Sequence, residues 1–207
     1  MARRIPNILH SLFPRIIWNV DSNRREIALT FDDGPTEEVT DYALNELGKR
    51  EMKATFFMVG RNIDSNPDLL KRIVDDEHRI GNHTHDHNRG WRTSCRDYIE
   101  SVQLADSVMK EAGINPSNLF RPPYGQLTLN QYYKLRSDWQ VVMWSLMAYD
   151  FDMELAPDKC LQSLISKTRS GDIVVFHDNA KACNTLKLVL PRYLDFLQDN
   201  DFRSVTL

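Results

Sequence analysis

Short apolar runs of strand length alternate along this chain with longer stretches whose apolar residues recur at helical spacing. The first run, Glu26 to Phe31, is stopped by Asp32-Asp33-Gly34-Pro35, and a helix is predicted near Glu37 to Arg50, with Val39, Tyr42, Ala43 and Leu47 on one face. A second strand, Ala54 to Val59, ends at Gly60, and its helix begins near Pro67 with Leu69, Leu70, Ile73 and Val74. The third, about Arg79 to Asn82, runs into His83 and is followed by a helix from about Arg96 to Glu111, with Gly113 as its stop. Leu119-Phe120 forms a fourth strand ended by Arg121-Pro122-Pro123-Tyr124-Gly125, with a helix near Leu129 to Leu135. Strand five is read at Gln140 to Ser145, a helix at Pro157 to Lys167 and strand six at Ile173 to Phe176. A last helix, Leu186 to Leu197, leads to a final strand at Phe202 to Thr206.

Seven strands alternating with helices imply a parallel sheet covered by helices, as an open doubly wound sheet or a (β/α) barrel. The polar residues just past each strand separate the two. Asp32 and Asp33 come after the first, His83, His85 and His87 after the third, Arg121 after the fourth, Asp150 after the fifth, and His177 and Asp178 after the sixth. In parallel α/β folds these ends share one face, where active sites are built. Five strand ends converge more easily at a barrel mouth than along an open edge, so the expected fold class is α/β: a distorted (β/α) barrel of about seven parallel strands.

Composition narrows the partners. At 207 residues, residues 26–207 form one domain and residues 1–25 an extension packed on it. A formal charge of −3 gives no electrostatic reason to expect nucleic acid. Cys95, Cys160 and Cys183 are odd in number and widely spaced, which reads as ordinary thiols and hints at a reducing compartment. No run approaches the roughly 20 apolar residues of a membrane span. The opening Met1-Ala2-Arg3-Arg4 starts like a signal peptide, but Pro6, Asn7, His10 and Pro14 interrupt its apolar part. The expected location is therefore cytoplasmic by default, with peripheral membrane binding through the partly amphipathic Ile8 to Trp18 segment, or export, left open; oligomeric state is open as well.

The candidate chemistry lies in two clusters. Asp32 and Asp33 have a bland reading as turn residues beside Gly34 and Pro35. Adjacent side chains at a strand end point in different directions, so one can ligate a metal while its neighbour handles a proton. Three of the six histidines fall in His83-Thr84-His85-Asp86-His87. His83 and His87 have the i, i+4 spacing that converges on one helical face. With one carboxylate they make a two-histidine, one-aspartate site with positions left for water and substrate; non-haem iron uses a similar set, so ligands alone do not fix the reaction.

Thr30-Phe31-Asp32-Asp33-Gly34-Pro35, with Gly81-Asn82-His83-Thr84-His85-Asp86-His87 further along, resembles the polysaccharide deacetylases, carbohydrate esterases with the chitooligosaccharide deacetylase (NodB) homology domain. Arg121 to Gly125, Trp144 to Phe151 and Asp172 to Asp178 resemble the family's later motifs, in its order. The resemblance implies a distorted barrel and a divalent metal, most often zinc with cobalt, nickel or manganese as alternatives, held by Asp33, His83 and His87. It makes Asp32 the general base that takes a proton from the attacking water and His177 the acid that protonates the leaving amine. Arg121 would orient Asp32, Asp150 would orient His177, and the Tyr124 N–H would help hold the oxyanion. Pro122, Tyr124, Trp144, Phe151, Val175 and Trp91 would serve the substrate; His85 and Asp86 are read as rim residues.

The sequence departs from the family pattern at Phe151, where tryptophan is usual, at Met147 in place of an aspartate, and at Val175 in place of a leucine. The expected reaction is N-deacetylation of an N-acetylhexosamine glycan, peptidoglycan or chitin-like. Two alternatives stand beside it: an O-acetyl xylan esterase or cyclic-amide hydrolase on the same barrel, and an inactive glycan-binding module.

Overall fold

The computed structural model describes residues 3–4, 12–21 and 23–207. Its strands are β1 (Arg3–Arg4), β2 (Glu26–Asp32), β3 (Thr55–Met58), β4 (Arg79–Asn82), β5 (Leu119–Phe120), β6 (Gln140–Val141), β7 (Leu146–Met147), β8 (Ile173–His177) and β9 (Arg203–Val205). They form one sheet in the order β1-β7-β8-β2-β3-β4-β5-β6, with β9 paired to β2. The seven strands β2 to β8 pair in parallel, and among these strands only the β1–β7 pair is antiparallel. They curl into the expected open, distorted barrel.

Central β2 has all but its first residue buried, which is why Glu26 to Phe31 reads as a nearly continuous apolar run. Side chains alternate between the two faces. Ile27, Leu29 and Phe31 join the outer core, where Phe31 stacks on Phe56 at 4.9 Å and on Phe176 at 5.8 Å. Ala28 belongs to the inner cluster with Phe57, Leu119, Val142 and Ile173. The same alternation puts Thr30 and Asp32 on the inner face. Asp32 is the register partner of His177 on β8, so both stand at one rim.

Among the described residues, seven helices follow the strands: α1 (Glu37–Gly48), the single turn α2 (Gly60–Ile63), α3 (Pro67–Asp75), α4 (Cys95–Glu111), α5 (Leu129–Leu135), α6 (Pro157–Lys167) and α7 (Cys183–Asp199). The predicted strand at Gln140 to Ser145 is a strand only at its start: β6 ends at Val141, and a separate strand, β7, follows at Leu146–Met147, beyond the predicted bounds. β6 pairs with β5 and β7 with β8, at opposite ends of the parallel set, so one stretch of chain spans the gap in the curl. Its middle bonds elsewhere: Met143 N–H donates to Ile17 and Ser145 N–H to Ile173. Ile16 and Trp18 are buried with Tyr132, Leu135 and Val141. The predicted amphipathic segment from Ile8 lies outside the described residues as far as Ser11.

No helix among the described residues is long and apolar enough to cross a membrane. All three cysteines are free thiols.

Candidate active site

The turn after β2 is clamped from several sides. Asp33 adopts a left-handed φ of 85°, uncommon for a side chain other than glycine's. Asn62 Nδ2 holds its carbonyl at 2.8 Å and Asn179 Nδ2 its Oδ2 at 2.5 Å. Buried Asp178 accepts from Gly34 N–H at 2.9 Å and from Thr40 Oγ1 at 2.6 Å, and its own N–H donates to the Asp32 carbonyl at 3.0 Å. The twist at Asp33 separates the adjacent carboxylates: Asp32 stays on the strand's inner face and Asp33 turns toward the histidines.

The histidine segment is a loop, which corrects the helical reading of the His83/His87 spacing. β4 ends at Asn82, and left-handed residues at Thr84 (φ 65°) and His87 (φ 56°) bend the chain back. Asn82 pins the bend, donating from Nδ2 to the Val102 carbonyl and accepting the Thr84 N–H, both at 2.8 Å. His87 Nε2 lies 2.9 Å and His83 Nε2 3.5 Å from Asp33 Oδ1. Ligand atoms of all three fall within 4.8 Å of one another. His83 Nδ1 is 2.7 Å from the Arg121 carbonyl, which fixes the proton there and leaves Nε2 with a free lone pair toward Asp33 and His87. This donor set fits a divalent ion. His85 packs against Gly60 and takes no part in the trio.

Two buried ion pairs stand behind the cleft. Arg121, fully buried, donates from Nη1 to Asp32 Oδ1 at 2.7 Å and to Thr30 Oγ1 at 2.8 Å, and from Nη2 to the Met143 carbonyl at 3.0 Å. Its guanidinium lies 4.1 Å from the Phe57 ring centroid. Asp150 accepts from His177 N–H and bonds His177 Nδ1, each at 2.8 Å, which leaves Nε2 for the cleft. Burial alone would lower the His177 pKa, but the Asp150 charge and hydrogen bond outweigh it and push it up to about 9. Asp33 is the reverse case. Burial would raise it, yet its hydrogen bonds with His83 and His87 hold the carboxyl far below the usual range.

A cleft of about 590 Å³ opens over these groups. Asp32, Asp33, His83, His87, Pro122, Tyr124, Trp144, Phe151 and His177 line it. Arg121 and Asp150 lie behind it. Val175 is buried on β8 two residues before His177, and Trp91 is on the surface; neither lines the cleft. Phe151 meets His177 edge-on at 4.7 Å. The Tyr124 N–H makes no backbone hydrogen bond among the described residues. Sequence reasoning missed Asn62, Tyr149, Asn179 and the clamp role of Asp178. The signal for the last two was present, since His177-Asp178-Asn179 prolongs the polar run at a strand end.

The polysaccharide deacetylase family model matches residues 19–140. The chain belongs to the polysaccharide deacetylase family. It is 31% identical over 195 residues to a peptidoglycan-N-acetylglucosamine deacetylase of Bacillus cereus, covering 93% of this chain and 91% of that protein. It is 32% identical over 187 residues to the peptidoglycan-N-acetylglucosamine deacetylase PgdA of Listeria monocytogenes, covering 90% of this chain and 38% of that one. The Bc1960 peptidoglycan N-acetylglucosamine deacetylase, solved with a naphthalenyl N-hydroxybenzamide, superposes with a TM-score of 0.87 at 28% identity, over 93% of this chain and 91% of that one. The family is metal-dependent, and the Asp33, His83 and His87 trio answers to that requirement.

Proposed function

We propose that this domain removes N-acetyl groups from N-acetylhexosamine units of peptidoglycan. One observation carries the reading. Asp32 and His177, register partners on adjacent strands, face one cleft with different buried partners, Arg121 and Asp150, beside a ready-made ligand trio. Asp33, His83 and His87 would hold the ion, with zinc the best match to two imidazoles and a carboxylate. When bound, the ion supplies Lewis acidity to the acetamide carbonyl and the attacking water.

The chain's own groups do the rest. Arg121 occupies Asp32 Oδ1, which aims the carboxylate, so Asp32 takes the proton of the attacking water. The Tyr124 N–H is free to donate to the oxyanion. An amine leaves badly unless protonated, and His177, kept protonated by Asp150, delivers that proton from Nε2. Trp144, Met147, Tyr149 and Phe151 give the cleft the apolar wall an acetyl methyl group needs. A wall glycan lies outside the membrane, so this reading favours an exported protein over the cytoplasmic default.

The test is acetate release from N-acetylglucosamine oligomers and from peptidoglycan by zinc-loaded protein, with chelator-treated protein as control. Metal-dependent acetate is expected from both. Acetate from acetylated xylan alone would overturn the reading in favour of the esterase. Glycan binding with no acetate from any substrate would favour the inactive module.

A further inference from the structure

Tyr124 forms the outer wall of the cleft. Half of its surface is exposed, and its ring packs against His87 at 4.6 Å between centroids. The guanidinium of Arg89 lies over that ring, 3.9 Å from its centroid, and makes no ion pair among the described residues. Two residues further on, Trp91 sits in the 3-10 turn Gly90–Arg92 with 68% of its surface in solvent.

Single exposed apolar side chains are common and need no explanation. The turn that carries this one does. Gln131, fully buried on α5, donates from Nε2 to the carbonyls of Gly90 at 2.9 Å and Thr93 at 3.2 Å. Gln131 is in turn fixed by its reciprocal capping box with Thr128. Gly90 lies so close to Gln126 that an added Cβ would stand 2.1 Å from the Gln126 carbonyl oxygen. Gln126 comes immediately after the Pro123–Gly125 turn that carries Tyr124. The backbone under Trp91 is therefore locked to the backbone under the cleft wall, while most of the indole faces solvent.

We propose that Trp91 and Arg89 form a sugar-binding subsite outside the cleft, taking a further unit of the same glycan chain whose acetylated unit lies at Asp32 and His177. The proposal rests on the deacetylase reading given above. An indole face packs well on the C–H face of a pyranose, and a pinned Trp loses little freedom in doing so. Arg89, held against Tyr124, presents guanidinium N–H donors to sugar hydroxyl, acetamido or carboxylate oxygens. Consecutive Cα atoms are about 3.8 Å apart, so the Cα atoms of Arg89 and Trp91 lie within about 7 Å of each other. Both side chains are thus within reach of neighbouring parts of one glycan chain that passes Tyr124.

The test compares zinc-loaded wild type with Trp91→Ala, Trp91→Phe and Arg89→Gln on N-acetylglucosamine oligomers of increasing length. Both kcat/KM for acetate release and binding by titration calorimetry are read. The Trp91→Ala loss should deepen with length, reaching on the order of 10-fold in kcat/KM and in affinity for the longest oligomers. It should fall on KM rather than kcat, and Trp91→Phe should recover most of it. A loss equal at every length, or none at any length, would overturn the subsite. Wild type that binds long oligomers but releases no acetate would sink the deacetylase reading alone, because binding to the Trp91 variants still decides the subsite.

Discussion

The carboxylate of Asp178 accepts the backbone N–H of Gly34 at 2.9 Å, and a methyl group on Gly34 would stand 2.1 Å from its Oδ2. The glycine is required by that approach, with its φ playing no part. Burial, with the nearby Asp33 charge, pushes Asp178 up to about 7, against its hydrogen bonds from Thr40 and Gly34. The pair holds the bend that turns Asp33 toward His83 and His87. Gly34→Ala should therefore weaken zinc binding about 10- to 100-fold, the usual range for losing support behind a ligand. Metal titration against a chromogenic chelator reads this directly. Unchanged affinity would mean the turn is held by Asn62 and Asn179 alone.

Asp32 and Asp33 are neighbours in sequence with separate proposed roles. Asp32→Asn should lower kcat by about 100-fold or more with zinc affinity nearly intact, because Arg121, not the ion, holds Asp32 Oδ1. His83→Ala should lose both. Metal analysis and acetate release on the same preparations check the division. Equal metal loss in the two variants would defeat it.

In the proposed reaction His177 sets the alkaline side of the pH profile. It stays protonated below about 9, so activity that needs its proton should fall as pH rises through that value. Asp150→Asn removes the largest opposing influence to burial and should move this limb to lower pH. His177→Ala should slow an amide more than the matching ester, since an alkoxide leaves with less help. An alkaline limb that stays in place in Asp150→Asn would argue against His177 as its source.

His78 couples stability to acid. Its Nδ1 accepts the Ala54 N–H at 3.1 Å, which demands the neutral ring, and burial, helped by the Lys53 charge, lowers its pKa from 6.5 to about 4. A depressed folded pKa means the unfolded chain binds the proton more readily. The stabilisation is therefore complete above about pH 6.5 and is lost as pH falls toward about 4, amounting to about 3 kcal/mol. Urea unfolding at pH 7 and pH 4.5 should show a smaller difference for His78→Gln than for wild type. Identical differences would rule His78 out.

Legibility tracked the physics of each element. β4, β5, α5 and α6 fall within the residues predicted for them, because an apolar run or helical period ends there at an unambiguous breaker. That Asp32, Asp33, His83, His87 and His177 share one cleft was legible because strand ends collect polar residues on one face. The histidine loop misled because i, i+4 spacing is common to a helix and to a loop folded back by left-handed residues at Thr84 and His87. Gln140 to Ser145 misled differently: its pattern says strand throughout, and no local pattern tells where a chain leaves one partner strand, or that it takes another at Leu146. Asn62 was invisible, because its contact with the Asp33 carbonyl depends on how α2 is placed rather than on its neighbours.

That change of partners makes residues 142–145 a gauge block. One end is anchored to β5, whose next residue is Arg121; the other is anchored to β8, which ends in His177. Between them, the Met143 carbonyl is tied to the Arg121 guanidinium. The spacing between the Asp32–Arg121 and His177–Asp150 halves of the site is thus set by a count of residues. A single insertion here should therefore displace both halves at once.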